Sequence, residues 1–322
     1  MSKLSIAALW IAVMVTGAAA QSYPSRPITM VVPFAAGGPV DTVARILSEP
    51  MRASLGQSII VENTTGAAGS IAVGRVARAA ADGYTLSIGH WSTHVVNGAI
   101  YTLQYDLLRD FEPIALLPSN PMIVVSKNGV PAKDLAELIA WLKANEGRVS
   151  VGTAGAGSGS HIAGVYFQRA VGARFQFVPY RGTAPALQDL VAGQIDLIVD
   201  QASNSVQHVR DGKIRGYAVT AARRLASAPN IPTVDEGGLP GLHMGIWYGL
   251  WAPKGTPKDI IVKLNGAVMR ALAEGGVRQR FGELGLEIPP VEQQTPEALG
   301  ALQKAEIEKW WPLIKAANIK GE

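Results

Sequence analysis

Short apolar runs alternate with amphipathic stretches along most of this chain, and the turns between them are brief. Ile28-Thr29-Met30-Val31-Val32 reads as a strand that enters Pro33-Phe34-Ala35-Ala36-Gly37-Gly38 before a helical pattern opens at Asp41. The same design recurs at residues 149–171. There a β-like run enters Gly152-Thr153-Ala154-Gly155-Ala156-Gly157-Ser158-Gly159-Ser160 and a second helix opens near His161. Further strands are predicted at 58–63, 84–89, 113–126, 175–180, 195–200, 214–219 and 247–252. Helices are predicted at 66–81, 134–145, 259–274 and 296–317. Thr183 followed by Ala184-Pro185 reads as an N-cap with proline in the first turn, opening a helix that runs to Ala192-Gly193. Thr256-Pro257 and Thr295-Pro296 have the same form. Strands alternating with helices predict an α/β protein with largely parallel sheets. The late return of the chain divides it into two lobes joined by two crossings: residues 22–122 with 246–322, and an inserted lobe at 123–245.

Composition narrows the class. In 322 residues, 48% hydrophobic and 17% charged side chains suit a folded chain and exclude a disordered one. The 29 basic residues against 25 acidic ones form no run interleaved with aromatics, so nucleic acid is excluded as a partner. The chain has no cysteine, which rules out disulfides and thiol catalysis. Lys3, the apolar residues 4–16 and Ala18-Ala19-Ala20 before Gln21 read as a cleaved secretory signal over residues 1–20. An exported chain of this size without disulfides suits a bacterial periplasm.

The enzyme readings of the glycine loops are thin. Ser158 and His161 hint at a hydrolase, but the Gly-x-Ser-x-Gly elbow is missing. Gly155-Ala156-Gly157 lacks the third glycine of a dinucleotide fingerprint, and the Walker lysine is absent. His90 and His94 alone among five histidines stand four apart, in a segment read as strand end rather than helix, so no metal and no cofactor are expected. Binding remains. A strand feeding a glycine-rich turn into a helix start presents bare N–H groups and the positive end of a helix dipole. With the hydroxyls of Thr153, Ser158, Ser160 and Thr183, two such loops can clamp a carboxylate. His90, Trp91, Ser92, Thr93 and His94 follow the third strand, at the sheet edge where ligands bind in open α/β folds. Asp41 reads as a cap of its own helix. Asp200 either accepts a ligand group or ties down a neighbouring loop. Phe34 and Trp91 read equally as walls for a ligand or as core.

These residues resemble a known family. Tyr23-Pro24-Ser25-Arg26-Pro27-Ile28, Val32-Pro33-Phe34-Ala35-Ala36-Gly37-Gly38-Pro39-Val40-Asp41 and Ala44-Arg45 look like the opening of the tripartite tricarboxylate transporter receptors, or Bug proteins. Further similar pieces are Glu62-Asn63, Gly66-Ala67-Ala68-Gly69, Asp82-Gly83-Tyr84-Thr85-Leu86, and Thr93-His94 with Asn97. Tyr105-Asp106, Asp110-Phe111-Glu112-Pro113-Ile114 and Tyr180-Arg181-Gly182-Thr183-Ala184-Pro185-Ala186 fit as well. So do Ala192-Gly193-Gln194-Ile195-Asp196-Leu197 and Ala252-Pro253-Lys254-Gly255-Thr256-Pro257. The resemblance implies a periplasmic-binding-protein fold of the Venus-flytrap kind, with a ligand cleft between two lobes. It implies a monomeric receptor that closes on a small organic carboxylate and serves a membrane permease of one large and one small subunit. Its contact positions match Phe34, Ala35, Ala36, Gly37 and Gly38 in one lobe. In the other they match Thr153, Gly155, Gly157, Ser158, Gly159 and His161, with Thr183, Ala184 and Asp200. Family members often carry a proline where this chain has Ala35-Ala36, which bears on ligand identity. A secreted serine hydrolase, or a ligand-sensing subunit of a regulatory membrane protein, are the alternatives.

Overall fold

The computed structural model describes residues 23–316 and 319–320, so the expected signal segment lies outside the described residues. Strand β1 (Ile28–Val32) pairs in parallel with β2 (Ile59–Asn63) and with β3 (Thr85–His90). Its Ile28, Met30, Val31 and Val32 are buried, as expected of a central strand covered on both faces. Helix α1 (Pro39–Leu55) starts with proline at its first position and ends at Gly56, whose φ of 73° is the left-handed conformation that glycine adopts without penalty. Its buried Leu47, Met51 and Leu55 lie on one face, each stabilising by about 1.5–3 kcal/mol.

The predicted helix over 66–81 forms only as α2 (Ser70–Ala77), preceded by a tight turn at Ala67–Gly69. The segment after β3 is also not strand end. Ser92–Val96 winds as a π-helical turn and continues into α3 (Asn97–Ile100). Long strand β4 (Phe111–Ser126) follows, then α4 (Leu135–Ala144), whose N-cap Asp134 accepts from the Glu137 amide. Next come β5 (Ser150–Thr153), α5 (Gly159–Val171), β6 (Gln176–Pro179), α6 (Thr183–Val191), β7 (Leu197–Gln201), α7 (Ala202–Arg210) and β8 (Arg215–Val219). The chain returns along β9 (Gly245–Pro253) and closes with α8 (Lys258–Ala273), α9 (Gly275–Glu283) and α10 (Pro296–Ala316).

The sheets are mixed rather than largely parallel. Their two wings, β2-β1-β3 and β7-β5-β6, are parallel, but β4 and β9 run antiparallel through the middle. Strand β4 pairs with β9 as far as Pro121 and with β7 from Met122. One 16-residue strand therefore serves two lobes, and a period-two pattern gives no sign of the change of partner. The carboxyl ends of β1, β3, β5 and β6 all lead toward the seam between the lobes.

Candidate functional site

Four helices begin at one small cavity. Its walls include Gly38, Pro39 and Val40 from α1, and Ser158, Gly159 and Ser160 from α5. Thr183 opens α6 there and Gln201 caps α7, while Phe34, His90 and Ala154 complete the lining. The N-caps Gly38, Gly182 and Gln201 supply no side-chain cap, so first-turn amides of α1 and α6 keep their hydrogen-bonding capacity, while in α7 the Ser203 N–H donates to Asn120 Oδ1 at 3.3 Å. Thr183 is thus the first helical residue and not the cap expected of it. The cap is Gly182, whose missing side chain lets the turn close on Ala35: a Cβ there would stand 3.1 Å from the Ala35 nitrogen.

An anion at one helix N-terminus gains about 0.3–1 kcal/mol when exposed and up to ~2 kcal/mol when partly buried. Four such ends approach the ~8 kcal/mol that a micromolar Kd requires. The cavity itself measures only about 20 Å³, room for one water-sized body. In this arrangement of the lobes the cavity is too small to admit a carboxylate group whole.

Polar side chains hold these loops in shape. The Ser160 hydroxyl accepts the Ala154 N–H at 2.9 Å and lies 3.2 Å from the Ser158 hydroxyl. Ser158 caps α5 by accepting the backbone N–H of His161 at 3.3 Å. The His161 ring turns elsewhere, its Nδ1 accepting the Gly157 N–H at 3.1 Å, and burial pushes its pKa down. The serine–imidazole contact that hydrolysis needs is therefore not made. Asp41 accepts from Gly37 N–H, Arg45 Nε and Asn63 Nδ2. Burial would raise its carboxyl, but these bonds hold it below its usual value. It props the loop from inside the first turn, where the sequence suggested a cap.

Asp200 is fully buried behind the cavity-lining Thr183, whose hydroxyl hydrogen-bonds to it. Its oxygens accept from the Gln201 N–H, Asn204 and Ser205 at 2.6–2.8 Å, so it ties down the start of α7. Full burial raises its pKa to about 6 in spite of those bonds. His90 stacks on Phe34 with ring centres 5.2 Å apart, and its Nδ1 accepts the Ser92 N–H at 3.2 Å. Burial lowers its pKa to about 4, so it is neutral at ordinary pH.

A larger cavity of about 800 Å³ adjoins the first, sharing Phe34 and Ala154. Ala35, Gly155, Ala156, Tyr101, Pro179, Tyr180, Arg181, Pro185 and the turn at 66–69 line it. In that turn Ala67 and Ala68 hold φ of 44° and 46°, a left-handed conformation that costs an L-residue roughly 1–2 kcal/mol each. Asn97 Nδ2 donates to the Ala68 carbonyl and Ser70 Oγ to that of Ala67, fixing the turn. The lobes also touch directly. The Ala35 N–H donates to the Arg181 carbonyl at 3.1 Å, the Tyr101 hydroxyl donates to the Ala156 carbonyl, and Tyr166 of α5 meets Trp310 of α10 edge-on at 5.7 Å.

Phe34, Ala35, Gly38, Gly155, Ser158, Gly159 and Thr183 thus line one or other cavity. Ala36 and Gly37 instead face an outer groove beside Asp41 and Arg45, although Gly37 approaches Ala184 across the seam. Thr153 is buried beneath its loop, and its Oγ1 accepts the Gly155 N–H at 3.3 Å. Gly157 packs against Ile100 and Tyr101 of the opposite lobe. Ser92, Thr93 and His94 are not brought to the cavities. Ser92 and Thr93 bond back to His90, and His94 stacks on Trp251 at 3.6 Å. Trp91 is core, edge-on to Trp310. Among the described residues no group of three acidic or histidine side chains gathers to hold a metal. His90, which the sequence places at the ligand edge of the third strand, does line the smaller cavity, whereas Gln201, Tyr101 and the 66–69 turn are lining residues that the glycine-loop pattern does not single out.

Known proteins share this arrangement. Residues 43–319 match the model of the tripartite tricarboxylate transporter family receptor. A UPF0065 protein of Agrobacterium vitis, from the TAR-I ttuE-ttuC' intergenic region, is 40% identical over 300 residues, covering 93% of this chain and 87% of that protein. The periplasmic binding protein BugD superposes with a TM-score of 0.90 at 40% identity, over 93% of this chain and all of BugD. MatC from Rhodopseudomonas palustris, solved with bound malate, gives 0.87 at 43% identity over 91% of this chain and all of MatC.

Proposed function

Since the chain belongs to the tripartite tricarboxylate transporter receptor family, we propose that it is a periplasmic receptor that captures a small organic carboxylate by lobe closure and delivers it to a permease. The observation that carries this reading is the convergence of four helix N-termini on one cavity at the seam. A carboxylate there replaces water on the first-turn amides and sits at the positive ends of four dipoles. Malate in MatC supports the ligand class. The partner change of β4 at Pro121 and Met122, and the start of β9 at Gly245, support a division into 22–122 with 246–322 and an inserted lobe at 123–245. The monomer closes about those crossings. The contact positions we assign are those that line the two cavities, with Gly157 and Ala184 acting at the seam.

A thermal-shift screen of mono-, di- and tricarboxylates tests the reading, because a ligand that binds only the folded chain raises its melting temperature. At least one carboxylate should raise Tm and then titrate calorimetrically at one site per chain, recovered unchanged. No shift with any carboxylate, or product formation abolished by Ser158→Ala, contradicts it.

A further inference from the structure

We propose that Arg181 makes this receptor selective for dianionic ligands, meeting the second carboxylate of a dicarboxylate whose first lies at the helix N-termini. This rests on the receptor reading above. The larger cavity is walled by glycine, alanine, proline and aromatic residues, and Arg181 is the one charged residue among the described residues that line it. Its side chain is exposed, and no described residue gives it a hydrogen bond or ion pair. Asp189 accepts the hydroxyl of the neighbouring Tyr180 at 2.6 Å and makes no ion pair with Arg181.

The backbone around Arg181 is pinned on both sides. The Tyr180 N–H donates to the Thr153 carbonyl at 2.8 Å, and the Arg181 carbonyl accepts the Ala35 N–H from the other lobe at 3.1 Å. Gly182 then packs directly against Ala35. The backbone that carries the cation is therefore held at the edge of the larger cavity where the lobes meet. An exposed guanidinium in water is worth little to binding; one that closure brings onto a carboxylate, away from solvent, makes charge-assisted bidentate hydrogen bonds. The four helix ends meet at the adjoining smaller cavity and can serve one carboxylate. The second anionic group of a longer ligand has this one cation to meet.

Calorimetric titration with chain-matched acids tests this: succinate against butyrate, and adipate against hexanoate. For one pair or both, the wild-type chain should favour the diacid by about tenfold or more. Arg181→Gln should bring that preference near unity by weakening the diacid about tenfold more than the monoacid, with Tm unchanged, and Arg181→Lys should restore part of it. Equal weakening of diacid and monoacid by Arg181→Gln would reduce Arg181 to a structural part of the seam and overturn the proposal. So would a wild-type chain that binds both members of each pair alike. Binding of no carboxylate at all would instead overturn the receptor reading on which it depends.

Discussion

Gly157 shows how much one missing side chain decides. Its φ of 82° disfavours any L-residue, and an added Cβ would stand 3.1–3.3 Å from Ile100 and Tyr101 across the seam. Gly157→Val therefore wedges the lobes apart. We expect carboxylate affinity to fall by about 100-fold or more while the variant stays folded, read by calorimetry beside a melting curve. Unchanged affinity would contradict closure at this point. Asp200 and His90 act in opposite senses. The Asp200 pKa is raised, to about 6, so its protonated form is the stabilised one. That contribution is complete below the ordinary value near 3.8 and is lost as pH rises through about 6. The His90 pKa is lowered, so its contribution stands above 6.5 and is lost as pH falls through about 4. Over pH 4–6 the two oppose each other. Asp200→Asn removes one, so the unfolding free energy of the variant relative to wild type should climb with pH across that window, by up to about 3 kcal/mol. Urea titrations at several pH values measure it, and a difference flat in pH would rule out a buried, raised Asp200.

At the scale of elements, the helix starts are the working parts. Ser158 is the one cap among the four that uses its side chain, and Ser158→Ala should cost about 1 kcal/mol of stability by urea unfolding. Much of this was legible. A strand, a glycine-rich turn and a proline or hydroxyl ahead of a helix mark the starts of α1 and α5 in the residues themselves, because those residue types solve a local backbone problem. The start of α7 at Gln201 was hidden, since neither glycine nor proline marks it and Asp200 reads as the end of a strand. The turn at 66–69 reads as helix in the sequence because alanine favours helix, whereas Asn97 and Ser70 hold Ala67 and Ala68 in the left-handed region. The π-helical turn at Ser92–Val96 was equally hidden. Its His94 is fixed by stacking on Trp251, a partner more than 150 residues away that no local pattern announces.

On the scale of the whole molecule, the lobes meet through contacts that owe nothing to a ligand. Ala35 bonds to Arg181, Tyr101 to Ala156, and Tyr166 packs on Trp310. On the receptor reading proposed above these contacts lower the cost of closing, so each deserves a share of the affinity. Tyr101→Phe removes one hydrogen bond, worth about 1 kcal/mol, and should weaken carboxylate binding about fivefold through the closing equilibrium, with Tm little changed. Calorimetry on the two proteins decides it, and equal affinities would remove Tyr101 from the account. The central claim is that the converging helix ends hold the anion. The most direct measurement follows the backbone amide resonances of the whole chain by NMR while a bound carboxylate is titrated in. The account predicts that the amides of Val40, Gly159, Ser160, Thr183, Ala184 and, from α7, Ala202 shift together and exchange more slowly with solvent, at one stoichiometric end point. Saturable binding that leaves those amides unmoved and protects others would contradict it.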